Sequence, residues 1–205
     1  LAVLLGNPPK EFRATSTTVN QLVDAAGKLS QSRKGALIVV DLGSDLRPED
    51  FLYSGINIEA QLSTDLLINL FATDTPLHDG AVLVKGNKII SAGVILPLSR
   101  QGISRYGTRH LAALGITERF DRCICIVVSE ETGTISLANQ GKLERPITSS
   151  RLQELLIKLV GNQNPLGTTK SSSNKTTSSQ NINTNDTITI ENKSNKPESQ
   201  NTLLD

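Results

Sequence analysis

The sequence predicts an α/β fold, a twisted mixed β-sheet flanked by helices on both faces, in a single globular domain. Short apolar runs typical of strands alternate along the chain with segments whose apolar residues recur every three or four positions, as in amphipathic helices. In addition, two pairs of strand-like runs are joined by short turn-forming segments, which requires antiparallel neighbours within the sheet.

The first predicted elements are a helix and a buried strand. The helix covers residues 15–32, where apolar residues form one face, and Ser16 or Thr17 is available as its N-cap. Residues 36–40 form a β-branched apolar run that ends at Asp41. A run without polar alternation indicates a strand that is buried on both faces.

A second helix and a hairpin follow. The helix covers residues 62–71 and is capped by Ser63. The hairpin joins residues 81–84 to residues 88–96 through Lys85-Gly86-Asn87, which is a turn-forming triplet. These two elements place an antiparallel pair directly after a helix.

The rest of the domain repeats this alternation of helices and strands. The predicted elements are a helix from Arg109 to about Leu114 with Thr108 as its cap, a strand at 123–128, a hairpin of residues 134–138 and 142–145, and a last helix at 150–160. We therefore expect helices to cover both faces of one sheet.

Composition divides the chain into a folded part and a tail. Of the last 45 residues, 24 are Asn, Ser or Thr and only six are apolar. Ordering 45 residues would cost roughly 45–90 kcal/mol, whereas burying six aliphatic side chains returns about 1.5–3 kcal/mol each. We predict a globular domain at 12–160 and a disordered tail at 161–205. Because the sequence contains no Met, residues 1–11 are interpreted as the N-terminal remnant of a longer chain.

Charge excludes some classes of function. The net charge is +1, with no block of like charge, so wholesale binding to nucleic acid or to an anionic membrane surface is not expected. No run reaches the roughly 20 apolar residues that span a bilayer. Cys123 and Cys125 lie in an apolar run, which favours buried thiols in a reduced, cytoplasmic compartment.

The first candidate site is the turn from Thr75 to Ala81, which brings His78 and Asp79 to the end of a strand. A carboxylate there can accept a proton from a hydroxyl or bind a divalent ion, and imidazole can join the metal. Gly80 allows a ligand to approach the backbone. The alternative is an ordinary turn without function.

The second candidate is Gly107-Thr108-Arg109-His110 at a helix start. Free backbone N–H groups, the helix dipole, a hydroxyl and a guanidinium together have the composition of a phosphate-binding site. The alternative is a capped helix in which Arg109 forms an ion pair and His110 packs on the sheet.

The third candidate is the segment Ser129-Glu130-Glu131-Thr132-Gly133, directly after a strand. If this segment is extended, the two acids face opposite ways, and at most one points into the same cleft as Asp79. One of them could bind metal, or both could be solvated loop carboxylates. No P-loop, dinucleotide fingerprint or recognisable Ser-His-Asp pattern occurs. From the residues alone, the prediction is a metal-assisted phosphate site.

These three segments, together with Leu96-Pro97-Leu98-Ser99 and Ala112-Ala113-Leu114-Gly115-Ile116, resemble the diadenylate cyclase (DAC) domain family. The resemblance is to its membrane-linked branch and spans about residues 12–160. It implies a nucleotidyltransferase that condenses two ATP molecules into 3′,5′-linked cyclic di-AMP and releases two pyrophosphates.

The resemblance also implies roles for individual residues. The catalytic residues are Asp79, Gly80, Ala81, Arg109 and His110. The nucleotide-binding residues are Leu96, Thr108, Arg109, Ser129 and Glu130. A divalent cofactor, Mn²⁺, Mg²⁺ or Co²⁺, is assigned to His78 and Glu131.

Further expectations concern partners and location. The resemblance implies a homodimer in the active state, because each protomer holds one ATP and the two must meet face to face. It also implies cytoplasmic placement, membrane attachment only through a missing N-terminal segment, and a regulatory protein of unknown kind.

One departure from the family pattern leaves alternatives open. The family's phosphate motif usually reads Arg-His-Arg, whereas this chain has Arg109-His110-Leu111. The second interpretation is therefore a catalytically impaired domain that binds ATP or cyclic di-AMP and regulates a partner. A metal-dependent phosphodiesterase ranks last, because two histidines are few for such an enzyme.

Overall fold

The structure is a computed structural model and describes residues 10–101 and 105–161. All of these belong to one compact unit. The predicted tail and N-terminal remnant lie outside the described residues, except for positions 10, 11 and 161 at their inner ends. Within the described residues, no helix combines the length and the apolar character needed to cross a bilayer.

The described part of the chain forms four α-helices, seven strands and one 3₁₀ turn. In order, these are α1 (Lys10–Gln31), β1 (Ala36–Asp41), the 3₁₀ turn (Pro48–Asp50), β2 (Ile56–Gln61), α2 (Thr64–Leu70), β3 (Ala81–Lys85), β4 (Lys88–Val94), α3 (Thr108–Arg119), β5 (Cys123–Val128), β6 (Ile135–Asn139), β7 (Lys142–Ile147) and α4 (Ser149–Gly161).

The seven strands form one mixed sheet in the order β2-β4-β3-β1-β5-β6-β7. The central strand β1 runs parallel to β3, with Ile38 opposite Val82, and antiparallel to β5, with Ile38 opposite Ile126. Both predicted hairpins are present as β3–β4 and β6–β7. The mixed sheet is therefore confirmed, and β1, with all six residues buried, matches its apolar sequence.

The helices cover both faces of the sheet, as predicted. Helices α1, α2 and α4 pack over one face, where alternate residues of β1 such as Ile38 and Val40 join their core. Among the described helices, α3 is the one that covers the other face, above Leu37 and Val39 of the same strand. Cys123 and Cys125 are free and buried beneath α3, and burial raises the pKa of the Cys125 thiol. A two-layer core thus surrounds a central strand that alternates its side chains between the layers.

Two predicted caps are wrong. Helix α1 begins at Lys10, so Ser16 and Thr17 lie inside it rather than at its start. Helix α3 begins with Thr108 as its first residue, and the N-cap position belongs to Gly107. The helix also continues to Arg119, because its middle turns are buried against β5 and β6. Packing against the sheet therefore extends α3 beyond Leu114, where the sequence pattern had placed its end.

Strand β2 and the 3₁₀ turn were not predicted. The residues of β2 are mostly exposed, and the strand lies at the edge of the sheet, where it pairs only with β4. An edge strand has no continuous apolar run to reveal it. Ser63, by contrast, caps α2 as predicted, and its hydroxyl accepts the Leu66 N–H at 3.2 Å.

Candidate active site

Two adjoining clefts lie where the start of α3 meets the ends of β4 and β5. The polar cleft, of about 330 Å³, is lined by Arg105, Gly107, Thr108, Arg109, His110, Val127, Val128, Ser129, Glu130, Glu131, Thr132 and Arg145. The apolar cleft, of about 370 Å³, is lined by Leu37, Asp79, Gly80, Val94, Ile95, Leu96, Leu98, Thr108, Arg109, Ala112 and Glu130. Because Thr108, Arg109 and Glu130 line both, the clefts form one continuous surface.

The turn before β3 presents Asp79 to the apolar cleft. The Asp79 side chain is 80% exposed, and its Oδ1 lies 3.2 Å from His78 Nε2. His78 Nδ1 lies 2.6 Å from the Thr75 carbonyl oxygen, which can only accept a hydrogen bond, so we assign the proton to Nδ1. The turn therefore fixes the imidazole and leaves the carboxylate open to a ligand.

Gly80 is required by a close approach between backbones. A Cβ built on it would lie 2.6 Å from the carbonyl carbon of Gly93, and its φ is +155°. Both the contact and the backbone conformation disfavour any other residue. The glycine after Asp79 thus sets how closely the turn lies against β4.

Arg109 is held at the boundary between the clefts. Its Nη1 donates to Glu130 Oε2 at 2.8 Å, and the Arg109 side chain is 21% exposed. A Cβ on Gly35 would lie 2.8 Å from both Arg109 Cζ and Glu130 Oε2, so the ion pair packs directly on the backbone before β1. Arg109 thus forms the ion pair described by the alternative interpretation of this segment, and the residue also lines both clefts.

His110 is packed against the sheet. Its Nε2 lies 3.1 Å from Ser136 Oγ on β6, and the residue is buried. Burial first, and the positive charge of Arg145 second, lower the pKa of His110 below its ordinary value. At neutral pH the imidazole is consequently uncharged and can only hydrogen-bond.

The segment after β5 is a tight turn rather than an extended strand. The Gly133 N–H donates to the Ser129 carbonyl at 2.9 Å, and the Thr132 N–H donates to Ser129 Oγ at 3.3 Å. Both acids line the polar cleft, and the expectation that at most one of them shares a cleft with Asp79 agrees with the structure. Glu130 alone of the two also lines the cleft that contains Asp79.

The segment after β4 is fastened to α3. The Ser99 N–H donates to the Leu111 carbonyl at 2.9 Å, and Ser99 Oγ donates to Glu118 at 2.6 Å. A side chain on Gly115 would collide with the Pro97 carbonyl oxygen, so the helix backbone lies directly against this segment. The contact holds Leu96, which is buried, on the wall of the apolar cleft.

Most of the predicted site residues converge, with exceptions. Ala81 is fully buried in β3 and lines neither cleft, and His78 also lines neither. The predicted metal pair of His78 and Glu131 does not share a cleft, and no group of three His, Cys, Asp or Glu side chains suited to a metal occurs among the described residues. Leu111 is buried and lies outside both clefts.

Sequence reasoning missed four residues of the site. Arg105 and Arg145 line the polar cleft, Ser136 binds His110, and Gly35 supports the ion pair of Arg109. Arg145 was the last residue of the predicted second hairpin, but nothing in the sequence indicated which face of the strand it would occupy. Only the sheet and the helix above it bring these distant residues together.

Comparison with known proteins gives a consistent result. The family model described as DisA bacterial checkpoint controller nucleotide-binding (DAC) matches residues 23–143. The cyclic di-AMP synthase CdaA of Bacillus subtilis is 41% identical over 153 residues, which are 74% of this chain and 54% of that protein. A diadenylate cyclase of Listeria monocytogenes is 48% identical over 132 residues, which are 63% of this chain and 47% of that protein. This chain thus spans about half the length of these relatives.

Solved structures share the fold. A crystal structure of a double mutant of DacA from Staphylococcus aureus matches with a TM-score of 0.63 and 38% identity, over 70% of this chain and 95% of that one. A hypothetical membrane spanning protein from Bacillus cereus matches with a TM-score of 0.59 and 41% identity, over 64% of each chain.

Proposed function

This chain belongs to the diadenylate cyclase (DAC) family, and from that premise we propose that it condenses two ATP molecules into cyclic di-AMP and releases two pyrophosphates. One observation carries the proposal. Asp79, which can act on a hydroxyl, and Thr108 with Arg109, which can bind phosphate, line the same apolar-walled cleft although 28 or more residues separate them.

The two clefts match the two ends of a nucleotide. Adenine and ribose fit the apolar cleft, with Leu96 against the base and Asp79 near the ribose. The α-phosphate lies at the shared boundary of Thr108 and Arg109, at the start of α3, where the helix dipole favours an anion. The remaining phosphates extend into the polar cleft towards Ser129.

Catalysis of this reaction depends mainly on positioning of the two nucleotides and neutralisation of phosphate charge, rather than on covalent chemistry by the protein. Asp79 orients a ribose 3′-hydroxyl and accepts its proton. The 3′-oxygen forms a bond to the α-phosphorus of the other ATP, the bond between that phosphorus and its bridging oxygen breaks, and pyrophosphate leaves. Arg109 stabilises the charge that develops on the phosphoryl oxygens. Repetition in the opposite sense closes the ring.

His110 acts as a positioning residue in this scheme. Because it is buried, uncharged at neutral pH and bonded to Ser136, it fixes the first turn of α3 on the sheet rather than transferring a proton. Gly80 and Ala81 shape the entry of β3 in the same indirect way. Of the five residues assigned to catalysis, all but Ala81 line a cleft, and Asp79 and Arg109 are the two that bring a charged side chain to it.

The active state is a homodimer. One continuous cleft accommodates one ATP, and the attack must cross from one nucleotide to another. The 80% exposure of the Asp79 side chain supports this arrangement, because the carboxylate is open towards a second protomer. The chemistry therefore takes place where two clefts face each other.

A divalent ion, Mn²⁺, Mg²⁺ or Co²⁺, would be held by His78 and Glu131, but these two residues do not line a common cleft, and the described residues contain no group of three metal-binding side chains, so one protomer does not present a complete metal site. The Nδ1–H of His78 is bound to Thr75, which leaves Nε2 as a ligand beside the Asp79 carboxylate. Glu131, in the polar cleft, provides a further carboxylate towards the phosphates. When bound, such an ion neutralises phosphate charge.

The native protein is membrane-linked through a segment that precedes this domain, with the domain in the cytoplasm. The likeness to the hypothetical membrane spanning protein from Bacillus cereus supports the membrane link. A regulatory protein partner is part of the same proposal. A catalytic domain at residues 12–160 completes it.

The test is incubation of the protein with ATP and Mn²⁺, Mg²⁺ or Co²⁺, followed by chromatography for cyclic di-AMP. Wild type should form the product, whereas Asp79→Asn should bind ATP without turnover. Asp74→Asn is the matched control, because Asp74 lies in the same turn region, is exposed and lines neither cleft. Equal product from wild type and Asp79→Asn contradicts the role of Asp79.

A second function, regulatory binding of ATP or cyclic di-AMP without turnover, is favoured by one observation. Glu130 accepts a hydrogen bond from Arg109 and offsets its positive charge, which weakens the attraction of that guanidinium for a phosphate. Under this alternative, wild type binds nucleotide but forms no cyclic di-AMP with any of the three metals. The same incubation therefore separates the two functions.

A further inference from the structure

The polar cleft contains two arginines that the proposed chemistry has not yet used, Arg105 and Arg145, and of these only Arg145 has its guanidinium stacked on an aromatic ring among the described residues. Arg145 lies on β7, the edge strand next to β6, and its side chain lines the polar cleft but not the apolar one. Asp79 has the reverse placement. Because Thr108 and Arg109 line both clefts, Arg145 and Asp79 lie at opposite ends of one continuous surface.

Arg145 also differs from Arg109 in its charge environment. Arg109 is paired with Glu130, and Arg151, a few residues beyond Arg145, is paired with Glu144 and Glu154. Arg145 has no carboxylate within 4.0 Å among the described residues. A guanidinium left without an acid at the wall of a cleft is suited to an anionic ligand.

An aromatic ring holds this guanidinium in place. Arg145 Cζ lies 5.7 Å from the centroid of the Tyr106 ring, which in turn lies 6.3 Å from the ring of His110. Such stacking orients an arginine without neutralising it. Arg145 lines the polar cleft, and its positive charge is the second cause, after burial, of the lowered pKa of His110 in the same cleft.

We propose that Arg145 binds the β- and γ-phosphates of ATP and so determines the preference of the site for a nucleoside triphosphate over a monophosphate. This inference rests on the proposed nucleotide site. With adenine and ribose in the apolar cleft and the α-phosphate at Thr108 and Arg109, the terminal phosphates extend towards Arg145. Arg145 on β7 also supplies a cation to the site, whereas position 111 of α3 is a buried leucine.

The experiment measures the binding of ATP, ADP and AMP to the full chain by calorimetry, with Mg²⁺ present, for four proteins. These are wild type, Arg145→Gln, Arg145→Lys and the control Arg151→Gln, which removes the same charge from an exposed arginine that lines neither cleft. Melting temperatures establish that each variant is folded. Product formation from ATP is measured in parallel.

Arg145→Gln should weaken ATP binding by roughly 10–100-fold, as expected for a charge-assisted hydrogen bond, and change AMP binding by less than about twofold. Arg145→Lys should recover part of the loss, because a point charge replaces a bidentate donor. Arg151→Gln should leave all three affinities unchanged. Equal weakening of ATP and AMP by Arg145→Gln indicates a structural role and overturns the inference, as does unchanged ATP binding.

The outcomes also separate this inference from the proposed function. If wild type forms no cyclic di-AMP but Arg145→Gln selectively weakens ATP binding, the cyclase proposal fails and the role of Arg145 stands. If wild type forms the product and Arg145→Gln binds ATP equally well, the cyclase proposal stands and the role of Arg145 is wrong. A wild type that binds no ATP contradicts both.

Discussion

Replacing Gly80 with alanine tests how the site is built. The new Cβ would lie 2.6 Å from the Gly93 carbonyl carbon, 2.7 Å from Gly93 Cα and 3.0 Å from the Val94 nitrogen. Carbon atoms in contact normally lie about 3.5–4.0 Å apart, so the overlap is close to 1 Å. The neighbours are backbone atoms of β4, which have no rotamer by which to move away.

The cost has two parts. Holding alanine at a φ of +155° costs about 2 kcal/mol, and forcing the overpacked contact costs about 2 kcal/mol more. The free energy of unfolding should therefore fall by about 4 kcal/mol. In a domain of this size, 1 kcal/mol shifts the melting temperature by about 2–4 °C, so the expected loss is about 8–16 °C.

Gly86→Ala is the matched control for this measurement. Gly86 also has a left-handed backbone, with φ of +59°, but a Cβ there would meet no atom within 4 Å. It should cost only about 1 kcal/mol. The assay is thermal unfolding followed by circular dichroism, together with product formation per folded molecule, which should fall in Gly80→Ala because Asp79 is displaced. If Gly80→Ala melts within about 3 °C of Gly86→Ala, the close approach of the two strands does not constrain the site.

Three further predictions follow from the same contacts. Gly35→Ala should weaken ATP binding in calorimetry by about tenfold while changing the free energy of unfolding by less than about 1 kcal/mol, because the atoms it displaces belong to the flexible side chains of Arg109 and Glu130. The control is Gly27→Ala, where the new Cβ has no contact closer than 3.4 Å. Unchanged ATP affinity in Gly35→Ala contradicts the role of Gly35. The melting temperature should fall as pH decreases through about 6.5, because His110 has a lowered pKa in the folded state and the unfolded chain therefore binds the proton first. His110→Gln should flatten this pH dependence of the melting temperature. An identical pH profile in wild type and His110→Gln would refute the role given to His110. Leu111→Arg should lower the melting temperature more than Leu111→Met, because position 111 is buried and a charged side chain there loses its hydration. An arginine variant that melts like wild type and binds ATP more tightly contradicts this prediction, since its side chain would then reach the polar cleft.

Some features of the fold depend on local pattern, and these were predictable. The apolar run of β1 and the two hairpin turns specify strands through short-range composition, and Ser63 specifies a helix start through a hydroxyl that binds a backbone N–H nearby. Edge strand β2 was missed although its sequence, Ile56-Asn57-Ile58-Glu59-Ala60-Gln61, alternates apolar and polar residues with the period of a strand. The start of α1 at Lys10 was also missed. The length of α3 was missed because burial against the sheet, rather than propensity, extends it to Arg119.

The sequence by itself determined the chemical repertoire of this protein: a carboxylate at a glycine turn, a cation and a hydroxyl at a helix start, and acids after a buried strand. Only the tertiary structure decided which of these groups share a surface. It brings Asp79 beside Arg109, pairs Arg109 with Glu130 over Gly35, and adds Arg145 from the far hairpin. The physical reason is that distances between residues remote in sequence depend on the register and crossovers of the mixed sheet and on the helix packed across it. No local sequence pattern contains those distances.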